Sequence, residues 1–316
     1  MDRAEVLYIV VPCYNEEEVL PETARRLGEK LRGLVRRGLA APGSRVLFVD
    51  DGSRDRTWAL IARYHRDDPA VAGVKLAHNR GHQNALLAGL MAARERCGVT
   101  ISLDADLQDD MEAMDQMLEQ FYGGCDIVYG VRNDRAADTP FKRGTALAFY
   151  RLMAALGAET VYNHADYRLM SRRALDGLSQ YREVNLFLRG LVPLVGYRAG
   201  VVEYRRGERL AGESKYSLSR MLNFAIDGIT SLSVRPIRLM AAAGGLLLCG
   251  GGLWLLWLLV MALAGRPVAG LTVLLASVWT IAGLQLAGLG LVGEYVGKVY
   301  LEAKGRPRYL IEEELV

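Results

Sequence analysis

Asp104, Asp106 and Asp109 lie within six positions of one another, directly after the apolar run Val99 to Leu103. That run is β-branched and uncharged, which predicts a buried strand, so the first two acids fall where a strand gives way to a loop. Ligands of α/β sheets bind at such carboxyl ends. Two carboxylates one residue apart repel each other unless a cation sits between them. A hard divalent ion with open positions is a natural guest, and it can also grip a diphosphate. The plainer reading is a polar turn ahead of a helix starting near Met111. Taken alone the spacing favours the turn; the rest of the chain decides.

The elements that would position these acids alternate regularly. Val6 to Val11 predicts a buried parallel strand ended by Pro12; Asn15 then caps a helix with Leu20, Ala24, Leu27, Leu31 and Leu34 at helical spacing. Val46 to Val49 predicts a second strand running into Asp50, Asp51, Gly52 and Ser53, with a helix over Trp58 to Tyr64. Val74 to Ala77 is a weaker third, followed by Asn79-Arg-Gly-His-Gln83 and a helix carrying Ala85, Leu86, Leu90 and Met91. With the strand at Val99, this makes four alternations, the pattern of a parallel sheet. Asp126 to Gly130 predicts a fifth strand, and Arg143 to Leu156 a helix. Asp166 lies beside an apolar segment before a helix opening at Ser171, and Gly200 to Arg206 predicts an edge strand feeding a basic, Gly-containing loop to Tyr216.

Three strand ends thus bring Tyr14 to Glu16, Asp50 with Asp51, and Asp104 with Asp106 to one sheet edge. A nucleotide satisfies all three, because ribose hydroxyls and base imino groups donate to carboxylates while a metal bridges Asp106 to the diphosphate. No G-x-G-x-x-G follows the first strand and no Walker-type loop occurs, which removes the dinucleotide and P-loop readings.

Composition adds a second feature. Leu239 to Gly265 and Val268 to Gly293 contain no Asp, Glu, Lys or Arg, and each exceeds the roughly 20 residues a bilayer-spanning helix needs. Arg235 and Arg238 precede the first run, Lys298, Lys304, Arg306 and Arg308 follow the second, and Arg266 alone marks the connection, so both termini are expected in the cytoplasm. Leu218, Met221, Leu222, Ala225, Ile229 and Leu232 predict an amphipathic helix at the interface. The runs are rich in Gly, which suits close packing as a hairpin or between protomers, and so a homo-oligomer such as a tetramer. A net charge of +3 excludes a nucleic-acid binder built on a basic surface. Cys13, Cys97, Cys125 and Cys249 lack metal-ligand spacing and fit a reducing compartment; no secretory signal opens the chain.

Val10-Val-Pro-Cys-Tyr-Asn-Glu-Glu17, Val49-Asp-Asp-Gly-Ser-Arg-Asp55, Asp104-Ala-Asp-Leu-Gln108 and Gly212-Glu-Ser-Lys215 resemble the family 2 inverting glycosyltransferases. With two carboxy-terminal spans, the chain is similar to the polyprenyl-phosphate glycosyltransferases, which include phage glucosyl carriers and dolichol-phosphate mannose synthases. The resemblance implies a GT-A catalytic domain, α/β with a Rossmann-like, mostly parallel sheet, over residues 1–216. A juxtamembrane helix over 217–238, a transmembrane hairpin over 239–293 and a cytoplasmic tail over 294–316 would follow. It also implies that Asp104, Asp106 and Gln108 surround Mg2+ or Mn2+ and that Pro12, Tyr14, Glu16, Asp50, Asp51, Gly81, Gln83 and Ala105 help to hold the nucleotide sugar. Arg132, Arg143, Arg206, Arg209 and Lys215 would meet the acceptor phosphate, as a lipid phosphate wants Arg or Lys. Asp166 is either a base or a group that orients sugar or acceptor, or a structural acid. The implied reaction passes a sugar, UDP-glucose being the first donor to test, to undecaprenyl phosphate on the cytoplasmic face of the bacterial inner membrane. A polysaccharide synthase should carry a Gln-x-x-Arg-Trp motif, which is absent. A membrane scaffold or transport subunit is the alternative from another class.

Overall fold

Alternation within the first strand sets the layering. In the computed structural model, β1 (Leu7–Cys13) is buried along its whole length. Leu7, Ile9 and Val11 face one core while Tyr8 and Val10 face another, because successive strand side chains point to opposite faces. A strand buried on both sides reads as a continuous apolar run, which is why the sequence marks it clearly. The structure describes residues 4–132, 164–184, 186–205 and 270–316, with scattered positions between 237 and 264. They fall into two units, one holding the sheet and the other the long carboxy-terminal helix.

The alternation continues through α1 (Leu20–Arg36), β2 (Arg45–Asp50), α2 (Thr57–Asp67), β3 (Val71–Leu76), α3 (His82–Arg94), β4 (Val99–Ser102), α4 (Ala113–Tyr122) and β5 (Ile127–Arg132). Next come β6 (His164–Ser171), α5 (Arg172–Leu178), α6 (Leu188–Leu194), β7 (Ala199–Tyr204), α7 (Leu271–Lys304) and β8 (Ile311–Leu315). The eight strands are ordered β7-β5-β6-β4-β1-β2-β3-β8. β1 pairs in parallel with β2 and β4, β2 with β3, and β5 with β7; β6 and β8 run the other way. The fold is α/β and mostly parallel, with β7 at an edge as expected. Leu20, Leu27, Leu31 and Leu34 of α1 cover one face; Ala85, Leu86, Ala88 and Leu90 of α3 cover the other.

β6 is not evident as a strand from sequence, and it matters most for the site. It lies antiparallel between β4 and β5, with Ser102 opposite Arg168 and Val131 opposite His164. Reversing its direction places its first residues, including Asp166, beside the carboxyl end of β4. Ser171 ends it and caps α5, its hydroxyl accepting the Ala174 amide at 3.0 Å.

Two glycines permit close approach. A Cβ on Gly89 of α3 would lie 2.5 Å from both Val10 and Val49, so only glycine lets α3 sit this near β1 and β2. Gly52 has φ +66°, and a Cβ there would lie 2.7 Å from the Asn79 amide nitrogen. Gly52→Ala is expected to cost about 1–3 kcal/mol through strain, plus the clash; urea unfolding should show a lower midpoint, and an unchanged midpoint would refute the close contact.

α7 is 34 residues long, about 50 Å at 1.5 Å per residue, and ends at Gly305 in the left-handed region (φ 56°). Leu274, Val278, Ile281, Leu289 and Val292 on it are exposed. Among the described residues no helix is long and apolar enough to cross a membrane. Some apolar side chains of α7, the residues expected as an interfacial helix and most of the first expected span lie outside that set. The stretch expected as a tail holds the end of α7 and then β8, which pairs with β3. Cys13, Cys97 and Cys125 are free thiols.

Candidate active site

The carboxyl ends of β1 and β2 are interlocked by their loops. The Asp51 amide donates to Cys13 O at 2.9 Å, and Asn15, itself at φ 53°, donates to Ser53 Oγ at 2.9 Å and accepts from the Arg54 amide at 2.9 Å. The Glu16 amide donates to Thr57 Oγ1 at 3.0 Å. Tyr14 stays 39% exposed at the rim, while Pro12 is buried.

Asp50 and Asp51 are adjacent but do different things. Asp50 Oδ1 accepts the Ser53 amide at 3.1 Å, whereas its buried Oδ2 accepts no hydrogen bond among the described residues. Burial pushes this carboxyl above its ordinary range. Asp51 uses both oxygens, one for the Arg80 amide at 2.7 Å and the other for that of Gly81 at 2.9 Å. It thereby holds the β3–α3 loop, with Gly81 at φ 87°, directly before His82.

His82 joins the remaining acids. Its Nε2 lies 3.5 Å from Asp104 Oδ1 and 3.4 Å from Asp166 Oδ2. Asp166 also pairs with Arg168 at 2.7 Å and with Arg189 at 3.2 Å. Burial would raise Asp166, but the His82 hydrogen bond and the two guanidiniums outweigh it and hold the carboxyl well below its usual range. Burial would lower His82, and its acidic neighbours outweigh that and raise it. Asp104 is pushed up to about 6, by burial first and then by Asp166, Asp109 and Asp106, with His82 opposing. Two acids that share His82 are thus shifted in opposite directions, Asp166 by its cations and Asp104 chiefly by burial.

The Asp104–Asp109 loop is sharply turned: Leu107 has φ 55°, and Asp106 Oδ1 accepts the Gln108 amide at 3.2 Å. Ala105 and Gln108 are buried. Among the described residues no three His, Cys, Asp or Glu side chains gather to hold a metal. Asp104 and Asp106 still fit a divalent ion, since Mg2+ and Mn2+ take one or two carboxylates and complete their shell with water and phosphate oxygens. A cation there would also favour the ionised form of Asp104, which burial and the neighbouring acids oppose.

Residues 8–178, from β1 to the end of α5, match the sequence profile of Glycosyl transferase family 2. The chain belongs to glycosyl transferase family 2. An uncharacterised glycosyltransferase of Bacillus subtilis, YkoT, is 50% identical over 98% of this chain and 92% of its own length. The bactoprenol glucosyl transferase of Shigella phage SfV is 37% identical, covering 97% and 98%; a prophage homologue in Escherichia coli K12 is 35% identical, covering 96% and 97%. A solved mannosyltransferase from Pyrobaculum calidifontis, in complex with GDP-mannose and Mn2+, aligns over 95% of this chain and 86% of its own at 16% identity and TM-score 0.48.

The structure of this family 2 glycosyltransferase thus gathers Tyr14, Asp50, Asp51, Gly81, Asp104, Asp106 and Asp166 around interlocked loops at one sheet edge. Gln83, expected at the nucleotide sugar, has Oε1 accepting the Leu188 amide at 2.8 Å and so anchors α6. Arg143, Arg206, Arg209 and Lys215 lie outside the described residues. Sequence reasoning missed Arg168 and Arg189. Arg168 follows Asp166 by the two-residue spacing of a strand face, which could have signalled a pair; nothing in the sequence ties Arg189 to Asp166.

Proposed function

We propose that this glycosyltransferase passes a sugar from a nucleotide-sugar donor, UDP-glucose in the first instance, to undecaprenyl phosphate at the cytoplasmic face of the bacterial inner membrane. The observation that carries the reading is the unbroken chain of contacts from Asp51 through the Arg80–Gly81 loop to His82, Asp104, Asp166 and Arg189. It supports one site built from acids that are far apart in sequence. The bactoprenol glucosyl transferases among its relatives support the acceptor class. The uncharged stretches 239–265 and 268–293 support a bilayer location, with both termini cytoplasmic and a homo-oligomer, such as a tetramer, in the membrane.

In this reading Tyr14 and Asp50 serve the nucleoside, whose base and ribose donors suit a carboxylate, and Asp51 keeps the donor loop in place. Asp104 and Asp106 would hold Mg2+ or Mn2+, which supplies Lewis-acid neutralisation of the leaving diphosphate. The acceptor needs little base assistance, because a phosphate monoester has its second ionisation near pH 6 and is largely anionic at neutral pH. Asp166, held far below that value, is a poor base. It is placed to orient His82 and Arg189 around the reacting groups.

Radiolabelled UDP-glucose and undecaprenyl phosphate incubated with the purified protein, with and without EDTA, should give an organic-extractable lipid-linked sugar only when metal is present. No such product with metal would overturn the reading. A panel of sugar nucleotides would then fix the donor. Because burial and neighbouring acids push Asp104 up to about 6, protons should compete with the metal below that pH. The Mn2+ concentration giving half-maximal activity should rise steeply from pH 7 to pH 5; a flat dependence would remove Asp104 from the ligand set.

A further inference from the structure

Residues 306–316, within the stretch expected as a tail, group with the sheet rather than with α7, which leads into them. β8 lies antiparallel along β3, with Leu315 opposite Gly73, Glu314 opposite Val74 and Glu313 opposite Lys75. The register then shifts so that Leu76 faces Ile311, and the next residue, Ala77, donates its amide to Leu310 O at 2.9 Å. Ala77 opens the β3–α3 loop, whose far end Asp51 holds through the amides of Arg80 and Gly81. One short loop is therefore pinned at both ends, by a carboxylate after β2 and by the carbonyl that precedes β8.

Three consecutive glutamates on an edge strand have an ordinary explanation, since charge there deters pairing with other chains. Here each one also has its own partner. Glu312 Oε2 lies 3.1 Å from Lys75 Nζ, Glu313 Oε2 accepts from Trp58 Nε1 of α2 at 3.0 Å, and Glu314 pairs with Arg96, just beyond α3. Because successive strand side chains alternate, Glu313 and Glu314 fasten the strand from opposite faces of the sheet. Tyr309 packs against the core that includes Leu86, Leu87 and Leu90 of α3, and Arg308 donates to Tyr181 O. Exposed ion pairs contribute little one by one, so unseating the strand requires reversing all three glutamates.

We propose that β8 is a positioning strand for the donor loop: by pairing with β3 and taking the Ala77 amide, it fixes where that loop starts and so sets the affinity for the nucleotide sugar. This deepens the nucleotide-sugar reading above and rests on it. In the full-length protein, Glu312→Lys/Glu313→Lys/Glu314→Lys sets like charges against Lys75 and Arg96 and takes the acceptor from Trp58. Amide hydrogen exchange over residues 72–81 should quicken. KM for UDP-glucose should rise about tenfold, the upper end of what one net hydrogen bond is worth, with kcat and KM for undecaprenyl phosphate changed less than about twofold. A strand that only stabilised the domain would behave differently. Its loss would lower the active fraction, and hence kcat, while leaving both KM values alone.

A donor KM unmoved in a variant whose exchange has quickened, or donor and acceptor KM values that rise equally, would each overturn the inference. A chain stopped after Arg308 removes β8 outright and decides the case where charge reversal leaves exchange unchanged: a raised donor KM would support the inference and a wild-type value would overturn it. Failure of the wild type to make a lipid-linked sugar would instead remove the underlying function, so the two failures are distinguishable.

Discussion

Asp106→Asn is expected to lower kcat by about a thousandfold while leaving the fold intact, since a lost metal-ligand charge is worth several kcal/mol and each 1.36 kcal/mol is tenfold. Asparagine keeps a carbonyl where Asp106 Oδ1 accepts the Gln108 amide, so the turn around Leu107 survives the exchange. What disappears is the negative charge one residue from Asp104. Single-turnover sugar transfer with saturating Mn2+, alongside circular dichroism, would measure it. Wild-type turnover would mean that the acids after β4 form only a polar turn.

Asp166→Asn is expected to damage stability as well as activity. Arg168 is 1% exposed and its Nη2 lies 2.7 Å from Asp166 Oδ1, so neutralising the acid leaves a buried guanidinium uncompensated. Breaking such a pair from one side costs about 3–5 kcal/mol, or roughly 10 °C in Tm for a domain of this class. The sign with pH follows from the direction of the shift. Asp166 is lowered in the folded state, so its contribution is present above the unfolded carboxylate value of about 3.9 and is lost as pH falls through the folded value. Wild type and variant should therefore differ most in Tm near neutral pH and converge at strongly acidic pH. Equal Tm at pH 7 would show that Arg168 is compensated elsewhere. An activity profile with an acidic limb that disappears in Asp166→Asn while Tm is unchanged would restore the general-base role.

Much of this was legible before any coordinates. Strands β1, β2 and β4 announce themselves because a parallel strand covered on both faces must be apolar throughout, and the acids after Val49 and Leu103 mark where each one ends. Helix α1 declares itself by its leucine spacing, and Ser171 by its capping chemistry. Family resemblance in the same loops pointed to a family 2 glycosyltransferase, and the family match agrees.

What the chain could not disclose in one dimension is which groups meet. The direction of β6 is set by its pairing between β4 and β5, and only that reversal brings Asp166 to Asp104. The division of labour between Asp50 and Asp51 depends on where the β3–α3 loop lies, since its two amides take both oxygens of the second acid and none of the first. The bonding of Arg189 to Asp166, and of Asp109 to Tyr204 across 95 residues, likewise exists only once distant segments have packed. Periodicity and residue type record how each element buries its own surface, so sequence alone determined the layers and the strand ends. Contacts between side chains far apart along the chain depend on strand order, direction and register, and those are decided by the global packing of the sheet.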